Sequence, residues 1–302
     1  MDGEKLTQRA FVFGFGYVGL AFALVLKANG WKVGGTCRSE ERRKELLKHG
    51  LEAFIFNAAN EEDAIRHKIV SSDIILSTVP PLGAGDPVLS SYGKDILETP
   101  EGCWLGYLST TGVYGDWGGG LVDEASELRA KSERGVRRII AEKCWADLAK
   151  KNGPQCHLFR LAGIYGPGRN ILVKLKAGNA RRINKPGHLF SRIHVADIVA
   201  VLLASICRPR GGAVYNVCDD EACSQEELVE YGCNVLGIKS LPLIEFENAV
   251  NDMSAMARSF WQDRRRVSNR LMHEELGIRL RFPTYRNGLR DLAAEVETRR
   301  DI

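Results

Sequence analysis

Through the first half of the chain, short uninterrupted apolar runs alternate with longer stretches of helical periodicity. Ala10–Gly14, Trp31–Thr36, Ala53–Phe56, Asp73–Thr78, Trp104–Ser109 and Cys156–Leu161 read as strands. Tyr17–Asn29, Glu40–Lys48 and Lys131–Lys151 read as helices, and Gly30 stops the first of them. Strands apolar at successive positions are covered on both faces. Helices of this length between such strands imply parallel pairing through right-handed crossovers. The pattern therefore predicts an α/β fold built on a doubly wound parallel sheet.

After Gly163 the pattern changes. Gly, Pro and Arg cluster between Gly166 and Gly187, then a helix (Val195–Cys207), a strand (Ala213–Val217) and a helix (Gln225–Leu236) follow. Residues 238–284 read as irregular, with a basic helix-like run over Gln262–Met272 and a final helix after Pro283. The expected organisation is a main domain over 1–165 and a smaller lobe over 166–302, with some later segments returning to the main sheet.

The chemistry begins at Gly14-Phe15-Gly16-Tyr17-Val18-Gly19, a G-x-G-x-x-G string that follows a predicted strand and opens a predicted helix. Gly14 permits the tight turn, Gly16 lets the backbone approach a diphosphate, and Gly19 lets helix and strand pack closely. The amides around Tyr17 and Val18, at the positive end of the helix, suit an anion. This makes the sheet Rossmann-type. An NAD-binding chain places Asp or Glu after the second strand to bind the ribose hydroxyls. Here the chain reads Gly35-Thr36-Cys37-Arg38-Ser39, with Arg38 19 residues beyond Gly19. A guanidinium there binds a 2′-phosphate, and Ser39 adds a hydroxyl, so NADP is favoured and NAD remains the alternative.

Composition narrows the picture. A net charge of +4 suits an anionic small ligand without demanding nucleic acid. The arginines Arg264, Arg265, Arg266 and Arg270 have only Phe260 and Trp261 beside them, too few aromatics for a single-strand track, so no nucleic-acid partner is expected. Eight scattered cysteines, with no C-x-x-C pair, imply reduced thiols and no metal site. The uncharged stretch Ala10–Leu26 is short for a membrane span and is broken by glycines, so no membrane association and a cytoplasmic location are expected.

Further segments resemble the extended short-chain dehydrogenase/reductases, the NAD-dependent epimerase/dehydratase group. They are Ser77-Thr78-Val79-Pro80-Pro81, Ser109-Thr110-Thr111-Gly112-Val113-Tyr114-Gly115, Arg160 through Tyr165-Gly166-Pro167-Gly168, Ile193-His194-Val195-Ala196-Asp197 and Tyr215-Asn216-Val217. The ending from Arg265 to Leu289 is similar to the atypical YeeZ-like branch. The resemblance implies that Thr78, Val79 and Pro80 line the cofactor site. It also implies that Thr110 bonds the substrate oxygen, the other reading being a threonine that satisfies backbone at a strand end.

The chain departs from the family at its centre. The resemblance calls for a Tyr-x-x-x-Lys pair on the helix after Thr110, yet residues 116–164 contain no Tyr. Setting Glu142 against the family's helix Glu puts Arg134 at the Tyr position and Arg138 at the Lys position. Arg138 can anchor charge, but Arg134 cannot pass a proton, because a guanidinium stays protonated. A solvated basic helix face is the competing reading for both. Tyr114 and Tyr165 are the nearest other phenols, and His194 and Asp197 read as structural. Two functions remain: an NADP-dependent oxidoreductase or epimerase-like enzyme acting on a small polar or sugar-derived hydroxyl or carbonyl, with an atypical active site; or a non-catalytic NADP-binding redox sensor or scaffold. Its partner is a small polar or anionic substrate, and the chain is a monomer or homodimer.

Overall fold

Seven strands form one parallel sheet in the computed structural model, which describes residues 8–57, 63–151 and 153–298. Along the chain the strands are β1 (Arg9–Phe13), β2 (Lys32–Cys37), β3 (Glu52–Ile55), β4 (Ile74–Ser77), β5 (Trp104–Thr110), β6 (Leu121–Val122), β7 (Cys156–Leu161), β8 (Gly163–Tyr165), β9 (Arg182–Asn184), β10 (Arg192–His194), β11 (Val214–Val217), β12 (Leu243–Glu245) and β13 (Arg266–Val267). The main sheet runs β11-β7-β5-β4-β1-β2-β3. The chain winds outward from β1 to β3, then restarts on the other side of β1 with β4. That reversal creates a crevice beyond the carboxyl ends of β1 and β4, where ligands bind in open α/β sheets.

The crossovers are α1 (Tyr17–Ala28), α2 (Glu40–Lys48), α3 (Asp63–Val70), α4 (Pro87–Leu97) and α5 (Glu133–Ala146). The periodicity did not single out α3 and α4. For α4 a local signal exists: Asp86 caps it by accepting from the Val88 and Leu89 amides, and Pro87 opens it. The helix predicted over Lys131–Lys151 is shorter. Beyond Ala146 the amides of Leu148 and Lys151 bond three residues back, and a 3₁₀ turn at Ala149–Lys151 closes it.

The chain divides into two compact units. The first takes residues up to Thr110, Glu133–Arg160 and Leu202–Tyr215. Its core is aromatic: Phe11 meets Phe13 edge-on, ring centroids 5.0 Å apart, and Tyr107 stacks on Trp145 at 5.2 Å. The second takes Thr111–Ser132, Leu161–Val201 and the chain from Asn216. The remaining helices are α6 (Ile171–Lys176), α7 (Val195–Cys207), α8 (Gln225–Val235), α9 (Phe246–Ala249), α10 (Ala255–Ser259), α11 (Arg270–Leu276) and α12 (Tyr285–Thr298). Side chains of α6, α8 and α12 bury Tyr165, Leu172, Val229, Tyr285 and Leu289 in a core of the second unit. A capping box, Ser224 with Glu227, starts α8.

One expectation is corrected in the second unit. Gln262–Met272 is not one helix. Its backbone between Arg264 and Ser268 is spent on the 117–122 segment, where β13 pairs with β6 in parallel, and helix begins only at Arg270. Asp197 has a structural role that reaches beyond its own helix, α7. Its carboxylate accepts from the Arg281 and Phe282 amides at 2.7 and 3.1 Å and so fastens the C-terminal segment.

Candidate functional site

The Gly-rich turn joins β1 to α1 in the first unit, and its shape is fixed by neighbours that contain no room for side chains. Gly14 has φ +92°, a conformation L side chains rarely adopt. A Cβ there would lie 2.6 Å from the Thr78 hydroxyl. That hydroxyl instead donates to the Gly14 and Phe13 carbonyls, at 2.8 and 3.1 Å, while the Gly14 amide donates to Thr36 Oγ1 at 2.8 Å. The Phe15 amide bonds the Thr36 carbonyl at 2.7 Å, and its buried ring covers Gly35, where a Cβ would come within 2.6 Å. A Cβ on Gly19 would collide with the Gly14 carbonyl oxygen.

Gly16 is the exception. It is exposed, and a Cβ on it meets nothing within 4 Å. It is the N-cap of α1 and supplies no side-chain cap, and the first turn holds no acid. Tyr17 is half-buried and Val18 buried. The turn thus has a tightly built floor and an open rim of helix N-terminal backbone, which fits the diphosphate of a dinucleotide.

Beyond β2, Arg38 is exposed and makes no hydrogen bond or ion pair among the described residues. Ser39 caps α2, accepting from the Arg42 amide at 3.3 Å. Sequence reasoning missed Arg42. Its guanidinium reaches back to the Phe15 carbonyl at 3.4 Å and pairs with Glu45 at 2.6 Å. The signal was available, since Arg42 stands in the first turn of the helix that opens just after Arg38. Thr78 and Val79 are half-buried past β4, and Pro80 is exposed.

Thr110, half-buried, ends β5. Arg138 donates from Nη1 to the Tyr107 hydroxyl at 2.7 Å and the Leu108 carbonyl at 2.9 Å. Arg137 pairs with Glu133 and comes within 3.7 Å of the position a Gly83 Cβ would take. Arg134 is exposed and has no hydrogen bond or ion pair among the described residues. Beneath them lies buried polar support. Glu142 accepts from Ser109 and from Arg160, whose Nη2 stands 2.9 Å away, so β5, α5 and β7 are tied together. Asp86 accepts from Trp145 Nε1 at 2.9 Å, and burial holds its carboxyl above the usual range. Burial likewise pushes the Tyr107 phenol up, opposed by Arg138.

The alternative proton donors lie in the second unit and are closed off. Tyr114 is fully buried and donates to Asn216 Oδ1 at 2.7 Å. The Tyr165 hydroxyl is buried against Gly288, and burial raises its pKa. His194 is packed between Tyr165 and Phe282, and burial pushes it down to about 4, so it is neutral at pH 7. No helix among the described residues is long and apolar enough to cross a membrane.

Seven parallel strands reversing at β1, with a Gly-rich turn at the reversal, define the Rossmann-type fold of the NAD-dependent epimerases and dehydratases. Among solved structures, dTDP-glucose 4,6-dehydratase from Bacillus anthracis in complex with NAD shares that fold at a TM-score of 0.77, with 17% identity and 98% of each chain covered. A functionally unknown conserved protein from Silicibacter pomeroyi DSS is 40% identical, with a TM-score of 0.85 over 96% of this chain and 100% of that one. The chain belongs to the same family as that protein. It is also homologous to Protein YeeZ of Escherichia coli K12, 24% identical over 220 residues, which are 70% of this chain and 77% of YeeZ. No family model matches the sequence.

Proposed function

We propose that the chain is an NADP-dependent oxidoreductase or epimerase-like enzyme acting on a small polar or sugar-derived hydroxyl or carbonyl. The observation that carries this reading is the open Gly16 rim, with Arg38 exposed beyond β2 and Arg42 reaching to the same turn. The amides of Gly16, Tyr17, Val18 and Gly19 would hold the diphosphate. Arg38, helped by Arg42 and Ser39, would hold a 2′-phosphate, and Thr78, Val79 and Pro80 would border the cofactor. A bound nicotinamide supplies hydride transfer. Thr110 would orient the substrate oxygen, and Arg138, fixed by Tyr107 and Leu108, would anchor negative charge beside it. The eight free cysteines support a reducing, cytoplasmic setting.

One observation favours a second reading, a non-catalytic NADP sensor or scaffold. The position expected for the acid holds Arg134, which cannot release a proton at working pH. Titration of the purified protein with NADPH and NADH, followed by a carbonyl panel monitored through NADPH absorbance, separates the readings. Turnover marks the enzyme. Tight NADPH binding without turnover marks the sensor, and no affinity for either coenzyme refutes both.

A further inference from the structure

The start of the helix that follows β5 is crowded with positive charge. Three guanidiniums, Arg134, Arg137 and Arg138, occupy its first two turns. Glu133 is spent on Arg137. The partners of Arg138 are uncharged: a phenol and a main-chain carbonyl. Arg134 has no partner among the described residues. Two of the three cations therefore lack a bonded carboxylate.

Their placement is also specific. Because β5 and β7 run parallel, the helix joining them runs back against both, and its first turn lies at the edge where the strands end. That edge carries Gly14–Gly19, Thr78 and Thr110. Arg134 and Arg138 are four residues apart and share a helix face. Only Nη1 of Arg138 is engaged, so the rest of its fork is available, and it is held in place by β5. A pre-positioned guanidinium with a second, unpaired one a turn away is a donor arrangement matched to a planar or tetrahedral oxyanion.

We propose that Arg134 and Arg138 clamp an anionic group, a carboxylate or phosphate, on the substrate of this site. In this chain the two helix positions that the related fold devotes to proton transfer and its support bind charge instead. The proposal rests on the coenzyme-site reading only for the location of the reaction, because the clamp binds its anion whether or not coenzyme is present.

The test uses inorganic phosphate and oxalate as probes against the full chain, with and without saturating NADPH, at ionic strength held constant with sodium chloride. The expected result is a rise in melting temperature with at least one probe. Arg134→Ala should weaken that probe by about tenfold or more, the loss of one charge-assisted contact. Arg134→Lys should retain part of the effect, and NADPH affinity should be unchanged in both. Response to phosphate alone identifies a phosphate ester, and response to oxalate alone a carboxylate. No response to either probe overturns the clamp, as does an equal response in Arg134→Ala. An NADPH affinity that falls in Arg134→Ala while the anion response stays intact also overturns it, making Arg134 a coenzyme residue. Failure of NADPH to bind would sink the coenzyme reading and leave the apo-protein arm to judge the clamp.

Discussion

Alanine at Gly16 and alanine at Gly19 should have opposite consequences, although the two glycines lie three residues apart in one turn. At Gly19 the new methyl would overlap the Gly14 carbonyl oxygen and sit 3.2 Å from Val12 Cγ1 and 3.3 Å from the Gly14 carbonyl carbon. Two of those neighbours are main chain, so α1 must move off β1. Overpacking of this kind costs about 1–3 kcal/mol. For units of this size that is a fall in Tm of roughly 2–12 °C. At Gly16 the backbone is at φ −78°, ψ −159°, which alanine adopts freely, and the methyl meets nothing within 4 Å. Alanine is a poorer N-cap than glycine by about 0.5–1 kcal/mol but reduces the freedom of the unfolded chain by about 0.4–1 kcal/mol, and the two effects cancel to within about 0.5 kcal/mol. Gly16→Ala should thus melt like the parent and lose NADPH affinity by about tenfold or more, because the methyl fills the approach to the helix amides. The assay is thermal melting paired with NADPH titration on both variants. A Gly16→Ala protein that binds NADPH as the parent does would refute the reasoning, and so would one that melts as low as Gly19→Ala.

Three other outcomes are expected. Arg38→Asp should reverse the coenzyme preference, weakening NADPH relative to NADH in parallel titrations, and an unchanged ratio would remove Arg38 from the site. Glu142→Ala leaves Arg160 buried beside an empty position and should cost about 3–5 kcal/mol, read as a lower denaturation midpoint. Acid should destabilise the second unit through His188, which packs on Phe190 and Trp261 and is pushed down to about 4 by burial, with Lys185, Arg264 and Arg265 adding to the effect. The unfolded state binds this proton near pH 6.5 and the folded state only near pH 4. Stability is therefore lost as pH falls through that window, by about 3 kcal/mol. His188→Phe should flatten this part of the pH–stability curve, and an unaltered slope would place the titration elsewhere.

The first half of the fold was legible because its signals are local. Continuous apolar strands, glycine stops and helical spacing each act within a few residues, and Cys156–Leu161 and Glu40–Lys48 emerge with their predicted bounds. After Leu236 the final helix beyond Pro283 was legible and is α12, but the stretch before it was not, because much of its backbone is satisfied by distant partners. Arg264–Ser268 looks helical by charge and spacing, yet its amides and carbonyls serve the 117–122 segment more than 140 residues earlier. Asp197 shows the same limit: its type was readable, but its bonds to the Arg281 and Phe282 amides were not. At the candidate site the glycines and Arg38 were readable from spacing. The pinning of Arg138 by Tyr107 was not, since a strand phenol facing a helix arginine leaves no trace in either segment alone.

Phe15 lying over Gly35 has a thermodynamic corollary. With that ring wedged in place, the loop is already folded into its receiving shape before any visitor arrives. Docking then forfeits little chain entropy, and more of the contact energy survives as affinity. Replacing Phe15 with a small residue would slacken the loop, and the deficit would surface as a less favourable binding entropy and faster escape of the guest.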